Sequence, residues 1–358
     1  MNYVISKKDS EIINKLKAVF ILLVVFIHTR AYTGKGYVNM TGGGKIDLST
    51  PTWLWNMEYV ISAIIAHVAV PGFFVVSSML LYKKNFKWKE NTLKKVRTLL
   101  VPYFIVITFW IVLYAAMQAI PFAQPFFSNN TKLISEWGIF QYLDAYLGLT
   151  QSPLVYPLWF AQNLFFLNLI AVLLKSIIDK IPLMAFIVLW ILLLSGVESP
   201  IFCLEINALV YFCMGYYFVK YDVHFEKLSA FKALPVFALY IVSCLISYGF
   251  RDTVVYTIAD NANICIGFVA CIIFVSKCNS NAVFDCLAKY SFNIFIMHEM
   301  FLRIALKATA KFLGTSVLIQ LVQYFVIPCV IIGFCVIMSI FMEKKLPRFY
   351  KIFTGLRG

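Results

Sequence analysis

The chain has 358 residues, of which 61% are hydrophobic and only 13% are charged. A soluble protein needs more polar residues than this to cover its surface, so the composition excludes a soluble globular protein and predicts a polytopic membrane protein. A formal net charge of +14 would suggest nucleic acid binding in a soluble domain. In a membrane protein, cationic cytoplasmic loops in contact with anionic lipid account for this charge, so we expect membrane lipid and no nucleic acid as a partner.

Backbone inside a lipid bilayer must satisfy its own hydrogen bonds, so apolar stretches of about 20 residues predict transmembrane helices and an all-α fold. Ten such stretches follow one another, at residues 16–33, 57–82, 98–120, 157–175, 182–197, 203–220, 232–249, 254–276, 285–303 and 316–342. We expect residues 10–345 to form a single transmembrane domain, followed by a short basic cytoplasmic tail at residues 346–358.

The positions of lysine and arginine predict how the helices are oriented. With the N-terminus in the cytoplasm, 23 of these residues lie inside and 8 outside, of 31 in all. This asymmetry predicts that both termini are cytoplasmic in a multi-pass protein of the plasma or inner membrane. Two long loops, 34–56 and 121–156, would then be external and would govern the choice of substrate. The aromatic residues of these loops suit sugar rings, but such residues also anchor helices at the interface, and both interpretations remain open.

The cysteines argue against a disulfide framework and against a zinc site. The nine cysteines lie almost entirely within or at the ends of apolar stretches, and the two long loops carry none. We therefore expect no metal ion to take part in the chemistry.

The first apolar stretch carries one cation and one imidazole at a suggestive spacing. It reads KLKAVFILLVVFIHTR from Lys15 to Arg30. In a helix, Lys17 and His28 would share a face about 16 Å apart along the axis. An ionisable residue within an apolar helix indicates function. A buried, hydrogen-bonded imidazole that ties two helices together explains His28 equally well, and Lys17 alone is typical of a lysine at the cytoplasmic interface.

A second group of cations follows the second apolar stretch. Lys94 and Arg97 are three residues apart at the start of the third stretch, so an α-helix would place them on one face. Together with Lys17 they could bind phosphate groups, since guanidinium binds phosphate through two hydrogen bonds and lysine acts as a point charge. Ordinary positive-inside charge is the alternative. In the second stretch, Pro71 and Gly72 resemble a break at mid-span.

Five segments in order resemble a known family. They are the Lys17 to His28 pair with ten intervening residues, VPGFFVVSSMLL at 70–81, KKVRTLLVPY at 94–103, PLWFAQNLFFLNL at 157–169 and YSFNIFIMH at 290–298. Together they are similar to the acyltransferase-3 family of integral membrane acyltransferases, over residues 10–345. The chain departs from the family pattern at Ser78, where glycine is usual, and at Lys17 and Lys94, where arginine is commoner. Lysine keeps the charge but lacks the two-pronged guanidinium.

The resemblance implies a membrane O-acyltransferase. Acyl-CoA, in particular acetyl-CoA, would place its phosphates against Lys17, Lys94 and Arg97 and its thioester near His28. An acceptor hydroxyl of a cell-surface or lipid-linked glycan would arrive from the external face, and His28 would remove its proton as the general base. This chemistry requires neither a metal ion nor a redox cofactor.

Other residues are candidates for supporting His28 or binding the acceptor. Glu205, just inside the predicted sixth helix, is the first candidate to orient the imidazole, and Glu58 is another; an acid at a helix end is also typical of simple solvation. His298 matches a family segment and could bind the acceptor or make a structural hydrogen bond. Trp159 and Asn163 lie one turn apart and could line a cavity, although tryptophan near the boundary is typical of an anchor. Among the remaining histidines, His67 fits packing, and His224 falls in a cytoplasmic loop.

A different class of function remains open. The chain could be a transporter or flippase for a polysaccharide or a small acid, since such proteins are also polytopic and contain helices interrupted by glycine or proline. The sequence contains no internal repeat of the kind that many transporters show. A purely structural membrane protein is a third possibility, but it leaves His28 unexplained.

Overall fold

The computed structural model describes residues 3–30, 50–121, 132–150, 152–199 and 203–355. Most of the loop 34–56 and part of the loop 121–156, both predicted to be external, lie outside these ranges. Every regular element in the described residues is helical.

The α-helices of the first half of the chain are α1 Lys7–Arg30, α2 Thr52–Tyr59, α3 Ala69–Tyr82, α4 Trp88–Lys95, α5 Val101–Gln118, α6 Ile139–Leu147, α7 Leu158–Leu169 and α8 Ala171–Lys180. Those of the second half are α9 Pro182–Leu194, α10 Ile206–Lys220, α11 Phe225–Ser229, α12 Ala233–Gly249, α13 Tyr256–Lys277, α14 Ala282–Leu313, α15 Val317–Lys345 and α16 Pro347–Phe353.

Each of the ten predicted apolar stretches overlaps one or more of these helices, which confirms the all-α fold. By length and composition, five helical stretches could cross a membrane: Lys7–Arg30, Thr52–Tyr82, Trp88–Gln118, Tyr256–Lys277 and Val317–Lys345. A sixth would be the pair α7 and α8, which is bent by 60°. The count of ten spans and the cytoplasmic position of both termini stay predictions.

The chain divides into two compact units. The first unit comprises Met1–Val24, Ala63–Val96 and Gln162–Ser291, and the second comprises Val25–Ser62, Arg97–Ala161 and Phe292–Gly358. Both units are assembled from three separated segments, so each is formed by contacts between residues far apart in the sequence. The single domain predicted for residues 10–345 stays a prediction.

In the first unit, α10 packs closely on α3 because glycine leaves room at the contact. A Cβ atom added to Gly215 would lie 2.6 Å from the Cβ of Ser78 and would also clash with the backbone oxygen of Val75. Small residues commonly occupy such positions in membrane proteins, where close approach of two backbones favours packing.

The second apolar stretch is not a continuous α-helix. Between α2 and α3 the chain forms a π-helical segment, Val60–Ile65, and a 3-10 turn, Ala66–Val68. Proline lacks an N–H, so Pro71 leaves the carbonyl of His67 without its usual helical donor. The irregular backbone therefore lies about one turn before the predicted break at Pro71 and Gly72. These two residues themselves belong to the α-helix α3.

A cluster of charged groups ties the start of α1 to the segment before α11. The Nδ1 atom of His224 lies 2.5 Å from Oδ2 of Asp9, and its Nε2 atom lies 3.0 Å from Oδ1 of Asp222. The Glu226 N–H also donates to Asp9 at 2.9 Å. Burial opposes a charge on the ring, but the hydrogen bonds and charges of Asp9 and Asp222 outweigh it and raise the pKa of His224.

The second unit contains the C-terminal helix and a hydrogen-bonded tyrosine. The hydroxyl of Tyr324, on α15, lies 2.7 Å from that of Ser62 and 3.4 Å from the backbone oxygen of Glu58. In α16, Tyr350 and Phe353 are buried. Part of the segment predicted as a basic tail therefore forms a helix that contributes apolar side chains to the packing.

We predict that Gly215→Ala destabilises the protein, because the new methyl group overlaps Ser78 and Val75. Overpacking of this kind costs about 1–3 kcal/mol, so the thermal unfolding temperature in detergent should fall. Gly333→Ala is the matched control, since a Cβ there meets nothing within 4 Å. An equal unfolding temperature for Gly215→Ala and the wild type would show that the close contact is absent.

We predict that the charge on His224 makes stability depend on pH. Its folded-state pKa lies above the unfolded value of about 6.5, so the stabilisation is fully present below that value and is lost as pH rises through the folded pKa. The unfolding temperature of the wild type should therefore fall over this range more steeply than that of His224→Gln. Parallel curves for the two proteins would refute the role assigned to the ring.

Candidate active site

The first helix carries both of the residues at which the sequence analysis began. Helix α1 is unbroken from Lys7 to Arg30, so the helical repeat places Lys17 and His28 on one face, as predicted. His28 lies two residues before the end of the helix and is only 7% exposed. Lys17 is half-buried, and its Nζ atom donates to the side-chain oxygen of Asn14 at 3.2 Å.

The second unit brings together two histidines that the sequence analysis selected. The ring centroids of His28 and His298 are 5.2 Å apart, with the rings inclined by 54°. The ring of Tyr156 approaches His28 edge-on, with 5.6 Å between the centroids. Tyr156 was not selected from the sequence, because a tyrosine in an aromatic loop is typical of an interfacial anchor. These three rings form the centre of the candidate site.

The backbone of α14 determines which nitrogen of His298 carries the proton. Its Nδ1 atom lies 2.8 Å from the carbonyl oxygen of Ile294 and 3.0 Å from that of Phe295. A carbonyl can only accept, so we assign the hydrogen to Nδ1 and the lone pair to Nε2. The Nε2 atom is buried and has no hydrogen-bond partner in the described part of the chain. It can therefore accept a hydrogen bond from a bound molecule.

An ion pair follows His298 on the same helix. The Arg303 guanidinium donates to the carboxylate of Glu299 at 2.5 Å, and the side chain of Glu299 is only 1% exposed. Arg303 lies five residues after His298 on α14 and adds a positive charge to the second unit. Arg303 was missed from the sequence, although an acid and a base four residues apart on one helix are a recognisable pair.

Glu58 belongs to the same unit and is fully buried on α2. Its backbone oxygen accepts the hydrogen bond from Tyr324 described above. At the end of α1, the Arg30 guanidinium stacks on two rings of α2, at 4.3 Å from the centroid of Trp55 and 4.7 Å from that of Tyr59. Cation–π contacts of this kind stabilise a desolvated guanidinium. They hold the end of α1, two residues beyond His28, against α2.

The structure corrects the predicted placement of Glu205. It was expected inside the sixth helix, but α10 begins at Ile206, and Glu205 is an exposed, extended residue before it. The reason is a hydrogen bond: the Glu205 N–H donates to the side-chain oxygen of Asn163 at 2.7 Å. Asn163 is buried on α7 and anchors the start of α10, whereas Trp159 lies one turn earlier and is half-buried. The roles predicted for all three residues stay predictions.

The other two predicted phosphate-binding residues lie at a change of helix type. Lys94 is in the last turn of α4, which ends at Lys95, and Arg97 lies in the π-helical segment Val96–Leu100. Both side chains are exposed. A π-helix has a wider turn than an α-helix, so the angle between the two residues differs from the α-helical value used in the prediction. Exposure leaves both cations accessible to an anion.

The geometry of the imidazole pair suits acid–base chemistry. Two neighbouring rings disfavour a second positive charge, so at least one of them stays neutral and able to take a proton. The lone pair assigned to Nε2 of His298 adds a hydrogen-bond acceptor, and Arg303 adds a positive charge. A base, an acceptor and a cation together can serve the transfer of an acyl group to a hydroxyl.

Comparison with known proteins supplies the class of reaction. No curated protein and no solved structure matches the chain. A family model does match: that of the acyltransferase-3 family, described as an acyltransferase domain, covers residues 11–341. The match includes most of α1, all of α2 to α14 and most of α15, and therefore every residue of the candidate site. With its long apolar helices, the chain is a membrane acyltransferase and belongs to the acyltransferase-3 family.

Proposed function

We propose that the protein transfers an acetyl group from cytoplasmic acetyl-CoA to a hydroxyl of a cell-surface or lipid-linked glycan, in the plasma membrane. The observation that carries this proposal is the imidazole pair of His28 and His298, buried among the helices of a chain from an acyltransferase family. Burial excludes bulk water, which would otherwise compete with the acceptor hydroxyl for the thioester.

His28 acts as the general base. Its neutral imidazole takes the proton of the acceptor hydroxyl while the oxygen attacks the carbonyl carbon of the thioester. The carbonyl oxygen becomes negatively charged in the tetrahedral intermediate. When this intermediate collapses, the carbon–sulfur bond breaks, and the CoA thiolate takes the proton from the His28 imidazolium. The products are the acetylated hydroxyl and free CoA, and His28 returns to its neutral form.

His298 and Arg303 assist from α14. The Nε2 lone pair of His298 accepts a hydrogen bond from the acceptor glycan and so binds and orients it. The positive charge of Arg303 favours the negative intermediate over the neutral reactants, as preorganised charges in active sites do. Glu299 holds the guanidinium in position through the ion pair.

The donor is held through its phosphates. Lys17, Lys94 and Arg97 bind these groups by charge, with Arg97 able to form two hydrogen bonds to one phosphate. Along α1, Lys17 lies about 16 Å before His28. An extended pantetheine arm can bridge a distance of this order, so α1 alone provides a phosphate-binding end and a reactive end.

The acceptor is bound by aromatic and polar groups. Tyr156 is 46% exposed beside the imidazole pair, so a sugar ring can stack on it. Further candidates for binding the acceptor are Trp159, Asn163 and Glu58. Glu205 is a candidate for orienting the imidazole of His28.

Transport of a polysaccharide or a small acid is the second candidate function. It is favoured by the irregular segment between α2 and α3 and by the 60° bend between α7 and α8, since transporters commonly contain broken helices. The two functions differ in their product, because transport alone releases no CoA and modifies no hydroxyl.

We predict that His28→Ala lowers acetyl transfer by about 10²–10⁴-fold, the range typical of a lost general base. His298→Ala should lower it less and should chiefly raise the KM for the acceptor. The assay measures CoA release and acetylated glycan with purified protein in nanodiscs.

The matched control for these variants is His224→Ala, which removes an imidazole far along the sequence from both histidines. Full activity of His28→Ala, with the protein shown to be folded, would refute the assignment of the base. If wild-type protein binds acetyl-CoA but never releases CoA in the presence of any glycan tested, transport is favoured instead.

We predict that Arg97→Ala raises the KM for acetyl-CoA and leaves kcat nearly unchanged, because the lost contact is made equally in the ground state and the transition state. The effect should shrink as the salt concentration rises. Lys87→Ala is the control, since it removes an equally cationic, exposed side chain nearby in the sequence. Equal KM values for the two variants would contradict phosphate binding by Arg97.

A further inference from the structure

A second pair of ionisable groups lies in the first unit, where the mechanism above does not use it. The Nδ1 atom of His67 lies 2.9 Å from Oδ2 of Asp260. His67 occupies the 3-10 turn Ala66–Val68, and Asp260 lies in the first two turns of α13. Both positions fall within the helical stretches that could cross a membrane. Ionisable side chains at such positions are energetically costly and indicate function.

The two members of the pair differ in exposure. Asp260 is 4% exposed, and its second oxygen, Oδ1, is buried without a hydrogen-bond partner among the residues that the structure describes. The side chain of His67 is 37% exposed although its Nδ1 atom is buried. The accessible edge of the ring is therefore the one that carries Nε2. A proton can reach the pair through this nitrogen.

The polar groups around the pair are neutral and mostly satisfied. The side-chain N–H of Asn263 donates to the carbonyl oxygen of Ile64 at 3.2 Å, and Ser243 donates to the Asn263 side-chain oxygen at 2.8 Å. Tyr211 donates to the side-chain oxygen of Asn261 at 2.8 Å. These contacts come from α10, α12 and α13, the helices that surround the irregular segment. None of these groups carries a charge that could compensate a carboxylate.

Apart from the pair itself, the charged residues of the helices near His67 and Asp260 lie away from the pair. Helices α3, α9 and α12 contain none. Lys220 and Lys277 are the last residues of α10 and α13. Helix α11 carries Glu226 and Lys227, and its Phe225 contacts Phe268, which lies two turns after Asp260 on α13. In the turn before α13, Arg251 pairs with Asp252 at 3.4 Å. The remaining titratable groups of α10, α12 and α13 are thiols and phenols, which are neutral at about pH 7; among them are Tyr211, Tyr240, Cys244 and Cys265.

In the described surroundings, His67 is thus the group that can balance the charge of Asp260. With a neutral imidazole the pair carries one negative charge among apolar helices, which is unfavourable. Uptake of one proton at Nε2 gives an imidazolium beside the carboxylate, with no net charge. The imidazolium and the carboxylate then form an ion pair, with Nδ1 and Oδ2 2.9 Å apart.

We propose that His67 and Asp260 form a proton-binding site within the membrane helices. The pair takes up one proton from water through Nε2 of His67 and releases it there, and each uptake changes its net charge from minus one to zero. His67 lies in the 3-10 turn Ala66–Val68, between the π-helical segment and α3. The site does not depend on the proposed acyl transfer.

The test is a count of protons, made without any acyl donor. Purified protein in nanodiscs is moved between two pH values in weakly buffered solution, and a pH indicator reports the protons taken up. Asp260→Asn and His67→Gln should each take up one proton fewer per protein molecule than the wild type over the range in which the pair titrates. The double variant should lose no more than either single variant, since one site is removed in all three.

Asp179→Asn is the matched control, because the Asp179 carboxylate bonds Tyr216 and Lys220 elsewhere in the first unit. Asp179→Asn should keep the uptake of the one proton that Asp260→Asn and His67→Gln lose. If His67→Gln and Asp260→Asn, both folded by thermal unfolding, take up as many protons as the wild type at every pH, the proposal is overturned. Should Asp260→Asn not fold, the His67→Gln result decides alone.

Discussion

Two buried ionisable side chains of the candidate site have specific partners on their own helix, and these partnerships fix one side of the site. Water is scarce among apolar helices, so a backbone oxygen or an opposite charge lowers the cost of burying an imidazole or a carboxylate. His298 uses the carbonyl oxygens of its own helix, and Glu299 uses Arg303 one turn later. These bonds fix the side chains of α14 in the positions from which they can act on His28.

The unbroken α1 helix gives the proposed reaction its direction. Lys17 and His28 lie on one face of this helix, about 16 Å apart along its axis, so we propose that one element binds the phosphates of a donor and its thioester. At the far end of α1, the guanidinium of Arg30 is clamped between Trp55 and Tyr59. The clamp limits movement of the last turn, which carries the imidazole. The proposed base is therefore positioned by packing as well as by the sequence of its own helix.

Much of the fold could be predicted from the sequence, because apolar stretches of sufficient length have few alternatives to a helix in lipid. The selection of His28 and His298 rested on their position in apolar helices and on the family resemblance, and the structure places the two rings together. The partnerships were harder to predict. Asp260 is paired with His67 although the two are distant in sequence, and no local pattern connects them. Glu205 lies outside its helix because Asn163 binds its N–H, a contact between separate elements.

The central claim is that donor and acceptor react at one centre although they arrive from opposite faces of the membrane. It can be tested with sealed vesicles in which the protein has a known orientation, acetyl-CoA is confined to one compartment and a glycan acceptor to the other. We predict acetylated glycan only when acetyl-CoA is on the side of Lys17 and the glycan is on the opposite side. Product that forms only when both substrates share a compartment would contradict the account.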